Sequence, residues 1–285
     1  MVFFNWMEVA NLAGFWRTTA ENIETTQYFS SIRAHFWEHV GLHLSLLHGM
    51  VPDQILLASG SAFIGPAWSL SLEWQFYLLA PLLFLVATKH FYTFIALSIG
   101  MFALKWLLVS FGLTFSYGAF LPINYGFFLL GIAIYLYLQN RINHAAITFL
   151  MALSSLALSD NMYGSTLSFC LWIGFCTLFI STLSEHFLPI RWLKSLFTTH
   201  LFSYLGKISF STYLIHFIAI DSVGYVVAHI ATPSWSKIDV FFTMLLPVVI
   251  ITLAASALLH HWVEAPGMRM GKKLSTPPKL GPATS

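Results

Sequence analysis

The chain has 285 residues, 58% of them hydrophobic and 8% charged, with 13 Lys plus Arg against 11 Asp plus Glu. Soluble domains carry about 25% charged residues, so this shortage excludes an ordinary soluble globule and, more firmly, a disordered chain. Mean hydropathy of +0.76 points to the bilayer as solvent, and a net charge of +2 without a long basic stripe argues against nucleic acid as a partner.

A helix needs about 20 mainly apolar residues to cross the hydrocarbon. Eight stretches qualify as predicted spans, near 34–50, 66–87, 91–111, 119–138, 145–159, 166–183, 203–229 and 240–262. The first is short and rich in His, and the fifth is short as well. The seventh is long enough to tilt or break at Gly224. No strand-like alternation appears, so the expected fold is an all-α polytopic membrane bundle of about eight transmembrane helices. Turn chemistry at Pro52-Asp53, Gly60 to Pro66, Asp160 to Gly164 and Thr232 to Ser234 separates the spans.

The expected organisation is an N-terminal cytoplasmic or interfacial segment (1–33), one membrane domain (34–266) and a basic, solvated tail (267–285). The Lys/Arg bias gives the orientation. Arg17, Arg33, Lys89, Arg141, Arg191, Lys194 and the tail's Arg269, Lys272, Lys273 and Lys279 fall on one side, and Lys237 on the other. The positive-inside rule then puts both termini in the cytoplasm. No secretory signal pattern opens the chain. Cys170 and Cys176 share one apolar run and read as buried thiols.

An ionisable group at membrane depth is costly and is a functional candidate by default. The densest polar stretch runs from Gly65 to Tyr77. Ser69, Glu73 and Tyr77 follow at i, i+4 and i+8 on one stripe, with Ser71 and Gln75 as a second pair. The second constellation runs from Gly206 to His216, where Ser209, Thr212, Tyr213 and His216 share a face and Lys207 marks a boundary. His216 lies about 14 Å beyond Lys207, and Glu73 about 10 Å in from Pro66. Both depths fall in the middle third of a core about 30 Å thick, so the two could share one cavity. A His near a hydroxyl suits general-base work, and a carboxylate can orient its ring. Glu73 and His216 are therefore the expected catalytic pair. Interhelical hydrogen bonding is the competing explanation for the Ser and Gln residues.

Trp68-Ser69-Leu70-Ser71-Leu72-Glu73-Trp74-Gln75-Phe76-Tyr77 resembles the WSLSxExQFY signature of the acyltransferase-3 family of integral membrane O-acyltransferases. Leu205 to His216 is similar to that family's late LGxxSYxxYLxH helix, and His261-Trp262-Val263-Glu264-Ala265-Pro266 to its closing E-x-P segment. The resemblance implies transfer of an acyl group, often acetyl, from acyl-CoA to a hydroxyl of a carbohydrate or cell-surface glycan. It implies acyl-CoA as donor substrate with no tightly bound cofactor, and the lipid bilayer, acyl-CoA and a carbohydrate acceptor as partners. It also implies residence in the plasma (inner) membrane. Carried over by position, Glu73 and His216 are the polar site positions; Trp68, Ser69, Gln75, Tyr77, Ser209 and Tyr213 are the substrate-binding candidates.

The family's opening Lys/Arg-x10-His helix, whose His is regarded as the catalytic base, has no counterpart here: Arg17 leads to Tyr28 and Arg33 to Leu44. The expectation is a chain beginning near the family's third helix, as a fragment, a misassigned start or a degenerate and inactive member, with His216 left to substitute if the base is missing. A transporter or solute-binding protein using the same polar cavity is the alternative. His35-Phe36-Trp37-Glu38-His39 matches the zinc pattern H-x-x-E-H, with His43 on the same face, but it reads better as a membrane-boundary group, as does His260-His261 beside Trp262. No metal is expected.

Overall fold

The computed structural model describes residues 19–158, 195–231 and 235–275. Their regular structure is helical, with irregular turns between the helices and no strand among the described residues. The helices are α1 (Thr19–Ala34), α2 (Phe36–Leu44), α3 (Ala67–Lys89), α4 (Phe91–Ser110), α5 (Leu121–Leu138), α6 (His144–Leu158), α7 (His200–Ile230), α8 (Lys237–Leu259) and α9 (Ala265–Ser275). Five helical stretches among the described residues are long and apolar enough to cross a membrane: Ala67–Lys89, Phe91–Ser110, Ser116–Leu138, His200–Ile230 and Ile238–Leu274.

Two compact units result: residues 23–192, and residues 193–285 with 1–22. In the first, α5 is the central element. Tyr125, Leu129, Ile132 and Leu136 on α5 pack with Phe94 of α4 and Leu150 of α6, each at most 1% exposed. Ser98 Oγ donates to the Phe94 carbonyl at 2.9 Å, so the Tyr125 hydroxyl donates to Ser98 across 3.1 Å. Pro81 inside α3 leaves a carbonyl without its helical partner, which membrane helices tolerate.

In the second unit α7 and α8 form an antiparallel hairpin. Val223 and Val227 near the end of α7 meet Val240 near the start of α8, and Met244 and Val248 pack against them. A capping box starts α8. The Ser236 backbone N–H donates to Asp239 Oδ2 at 2.8 Å, and the Asp239 N–H donates to Ser236 Oγ at 3.3 Å.

Several sequence expectations change. The stretch 34–50 is broken: α2 has 9 residues, Leu46 adopts a positive φ of 58°, and a 3-10 turn follows at His48–Met50. At 1.5 Å per residue α2 spans about 14 Å, too short to cross. The 145–159 stretch forms α6, 15 residues long and likewise short. The 166–183 stretch, the Asp160 to Gly164 turn and the Thr232 to Ser234 turn lie outside the described residues. Among the described residues, five helices are thus long and apolar enough to cross, and the sixth predicted span lies outside them. No break occurs at Gly224, where α7 runs on unbroken. Residues 267–275 of the expected tail are helical, as part of α9, which continues α8 through a π-helical turn at His260–Glu264.

Candidate functional site

The first motif opens α3 directly after Pro66. Its Gln75 is 6% exposed, and each part of its amide has an internal partner. Nε2 donates to the carbonyl of Ala119 at 2.9 Å and to that of Ser71 at 3.1 Å, while Oε1 accepts the Leu121 backbone N–H at 2.9 Å. Ser71, fully buried, donates to the Leu46 carbonyl at 2.7 Å and accepts from the Gly49 N–H at 3.0 Å. His48 Nε2 donates to the Ala67 carbonyl at 2.9 Å. The motif helix thus clamps the turn at 46–49 and the start of α5. Gly49 is required there: a Cβ would lie 2.6 Å from the Ala119 carbonyl oxygen. Nearby, Gln54 bridges to the Gly112 carbonyl at 2.7 Å and the Thr114 hydroxyl at 3.0 Å, and Ser116 bonds Asp53. Trp68 stacks on Tyr117 with centroids 6.2 Å apart.

The other stripe of α3 is more open. Tyr77 is 61% exposed, and its hydroxyl donates to Glu73 Oε2 at 3.4 Å. Glu73 is half-buried. Ser69 turns its hydroxyl back to the Pro66 carbonyl at 3.2 Å.

The H-x-x-E-H segment forms the start of α2, with His35 at its N-cap. Exposed His35 pairs with Glu38 at 3.5 Å. His39 is fully buried, and His43 stacks on His48 with centroids 4.1 Å apart and planes within 6°. Burial pushes all three imidazoles below their ordinary pKa, with His43 down to about 4 and the neighbouring His48 adding to its shift. Among the described residues, no group of three or more His, Cys, Asp or Glu is arranged to hold a metal ion.

In the C-terminal unit, Ser209 and Tyr213 sit on exposed positions of α7. Ser209 donates to the Gly206 carbonyl at 2.9 Å and Thr212 to that of Ile208 at 2.9 Å. His216 is half-buried, with Nδ1 3.2 Å from the Thr212 carbonyl. A carbonyl only accepts, so Nδ1 carries the proton and Nε2 of the neutral ring keeps its lone pair. Glu73 belongs to the N-terminal unit and His216 to the C-terminal one.

Two features escape a motif-based reading. Asp221, 8% exposed, places a carboxylate deep in α7; the visible signal was an acidic residue inside a predicted span. The late and closing motifs also meet through groups assigned no role above. Glu264 Oε2 accepts from Ser211 Oγ at 2.8 Å and lies 2.9 Å from His260 Nδ1. The spacing of His260 and Glu264, four residues apart, was the available cue.

A family model described as an acyltransferase domain matches residues 28–260. No curated protein and no solved structure gives a match. The match covers both motif helices and most of the chain, so the chain belongs to the acyltransferase-3 family and is a membrane acyltransferase in general class.

Proposed function

We propose that this protein moves an acyl group, acetyl in the simplest case, from acyl-CoA to a hydroxyl of a carbohydrate or cell-surface glycan. Glu73 and His216 are its membrane-depth polar site groups. The family match over residues 28–260 carries the reading. The free Nε2 lone pair of His216 and the half-buried Glu73 carboxylate support it, because both can accept hydrogen bonds from sugar hydroxyls. In the first unit Trp68 and Tyr77 offer aromatic surface and Ser69 a hydroxyl suited to a sugar, and in the second Tyr213 and Ser209 offer groups of the same kinds.

The test uses the full chain in proteoliposomes with acetyl-CoA and a panel of methyl hexosides, scoring free thiol and acetylated sugar. Glu73→Ala and His216→Ala are each expected to lower the rate by at least about tenfold, the cost of one charge-assisted hydrogen bond. A Glu73→Ala rate equal to wild type would remove Glu73 from the site.

A further inference from the structure

Two irregular loops, residues 51–61 and 111–119, are fastened to each other beside the start of α3. The Asp53 N–H donates to the Thr114 carbonyl at 2.8 Å, the Thr114 N–H donates to Gln54 Oε1 at 3.1 Å, and Ser116 Oγ donates to Asp53 Oδ1. Gly60 permits the approach: a Cβ there would lie 2.9 Å from the Ser116 Cβ. Tyr28 of α1 reaches the same loops, its hydroxyl 2.9 Å from Ser61 Oγ. Burial raises the Tyr28 phenol above its ordinary pKa, the Ser61 bond lowers it, and neighbouring Tyr117 and Asp53 raise it further, so these three polar groups lie close together.

This braced frame holds Tyr117 in a costly conformation. Its φ of 54° and ψ of 18° lie in the left-handed region, which a bulky side chain disfavours. Little burial is gained in return, because the side chain is 65% exposed. Trp68 stacks on one side of the ring, with planes within 20°, and the other face is open. A strained aromatic with so little packing reward points to a ligand rather than to the fold. Asp53 is also only partly used: Oδ1 accepts from Ser116, while Oδ2 accepts no hydrogen bond among the described residues. An open aromatic face, a free carboxylate oxygen and a phenol suit one pyranose ring. Its C–H face stacks on the aromatic ring, and its hydroxyls donate to the carboxylate.

The location suits an acceptor. Phe76 stacks on Phe128 and Phe84 meets Tyr135, so α3 and α5 run side by side in one direction. Lys89 and Arg141 stand at their far ends. Over about 34 Å of α3, the two loops and these basic residues come to opposite faces of the membrane. The positive-inside rule assigns the basic end to the cytoplasm, which leaves the loops outside.

Resting on the acyltransferase reading above for its acceptor role, we propose that Tyr117 and Asp53, backed by Trp68 and Tyr28, form an outward-facing binding site for an uncharged hexopyranose. Tyr117 stacks on the sugar ring, and Asp53 Oδ2 accepts from its hydroxyls. The carboxylate disfavours a uronic acid or a phosphorylated sugar, whose charge has the same sign.

The experiment uses the full chain in nanodiscs. Saturation-transfer NMR gives the Kd of methyl glucoside and of methyl glucuronide, and transfer from acetyl-CoA to methyl glucoside gives KM for both substrates. Tyr117→Asn removes the ring and suits left-handed backbone. It is expected to keep or raise the Tm while weakening methyl glucoside about 3–10-fold. A purely structural Tyr117 would give a lower Tm and an unchanged Kd. Asp53→Asn keeps an acceptor for Ser116 and loses the charge; it is expected to weaken methyl glucoside about tenfold and to narrow its advantage over methyl glucuronide. KM for acetyl-CoA should hold in both variants. Unchanged Kd values in both variants, or a wild-type chain that binds neither glycoside, overturn the proposal. If Asp53→Asn fails to fold, Tyr117→Asn decides alone. A wild-type chain that binds methyl glucoside but releases no thiol from acetyl-CoA overturns the acyltransferase reading and leaves the sugar site standing.

Discussion

The centre of the N-terminal unit and the C-terminal hairpin solve the membrane problem differently. The span ending in α5 is 56% buried, while those of α7 and α8 are 17% and 11% buried. The first is stitched to its neighbours by side chains that bond backbone: Gln75 to Ala119 and Leu121, and Ser71 to Leu46 and Gly49. The second holds together through a few valines at one end and the Ser211–Glu264–His260 chain at the other. Buried backbone that cannot reach water must be satisfied from within, so the irregular turns of the first unit consume its polar side chains. The regular helices of the hairpin satisfy themselves and leave polar groups for other work.

Four measurements, read by thermal unfolding of the detergent-solubilised protein through its 10 Trp residues, would break or sharpen this contrast. Gly49→Ala should be most damaging, because its Cβ would press on backbone at 2.6 Å and on the Ser71 hydroxyl at 2.8 Å. A loss of about 3 kcal/mol or more is expected, beyond ordinary overpacking. Gln75→Leu should follow at about 2–4 kcal/mol, since it strands the Leu121 N–H and the Ala119 carbonyl. If it costs under about 1 kcal/mol, the clamp is not what holds α3 to α5.

The third measurement is a pH titration. His43 has its folded pKa lowered to about 4 from an ordinary 6.5. The unfolded chain therefore binds the proton first, and stability is full above about pH 6.5 and falls as the pH drops toward 4. Between pH 7.5 and 5 the loss should be about 1–2 kcal/mol, allowing for solvent at the ring's open edge, and His43→Gln should flatten the slope. The smallest effect belongs to the hairpin: Val227→Ala, at a position 5% exposed, should cost about 1 kcal/mol. A cost equal to that of Gln75→Leu would erase the distinction between the two regions.

Much of this was legible in the residues. Pro66 announced the start of α3, and the Ser71/Gln75 spacing placed both on one face, where they bond at 3.3 Å. Span length predicted α3, α4, α5 and α7 well because desolvation of backbone dictates it. The stretch at 34–50 misled because hydropathy sees composition, whereas the break comes from Leu46 at positive φ, held by the Ser71 hydroxyl on its carbonyl. That bond joins residues 25 apart, beyond any local pattern. His260 was read only as a boundary group for the same reason: its spacing to Glu264 was visible, but Ser211 lies 53 residues from Glu264, and only folding brings it there.

The π turn also fixes a rotational phase. Each helical residue advances about 100°, so one residue more or fewer swings everything beyond it by more than a quarter turn. From Lys237 to Ser275 the helix is continuous, so the wide turn at 260–264 sets together the side that Glu264 turns to Ser211 and the direction in which Arg269, Lys272 and Lys273 point. A single-residue deletion within 256–263 would rotate the carboxylate off its serine and turn the basic face of α9 by the same angle, which makes length in this segment as constrained as residue identity.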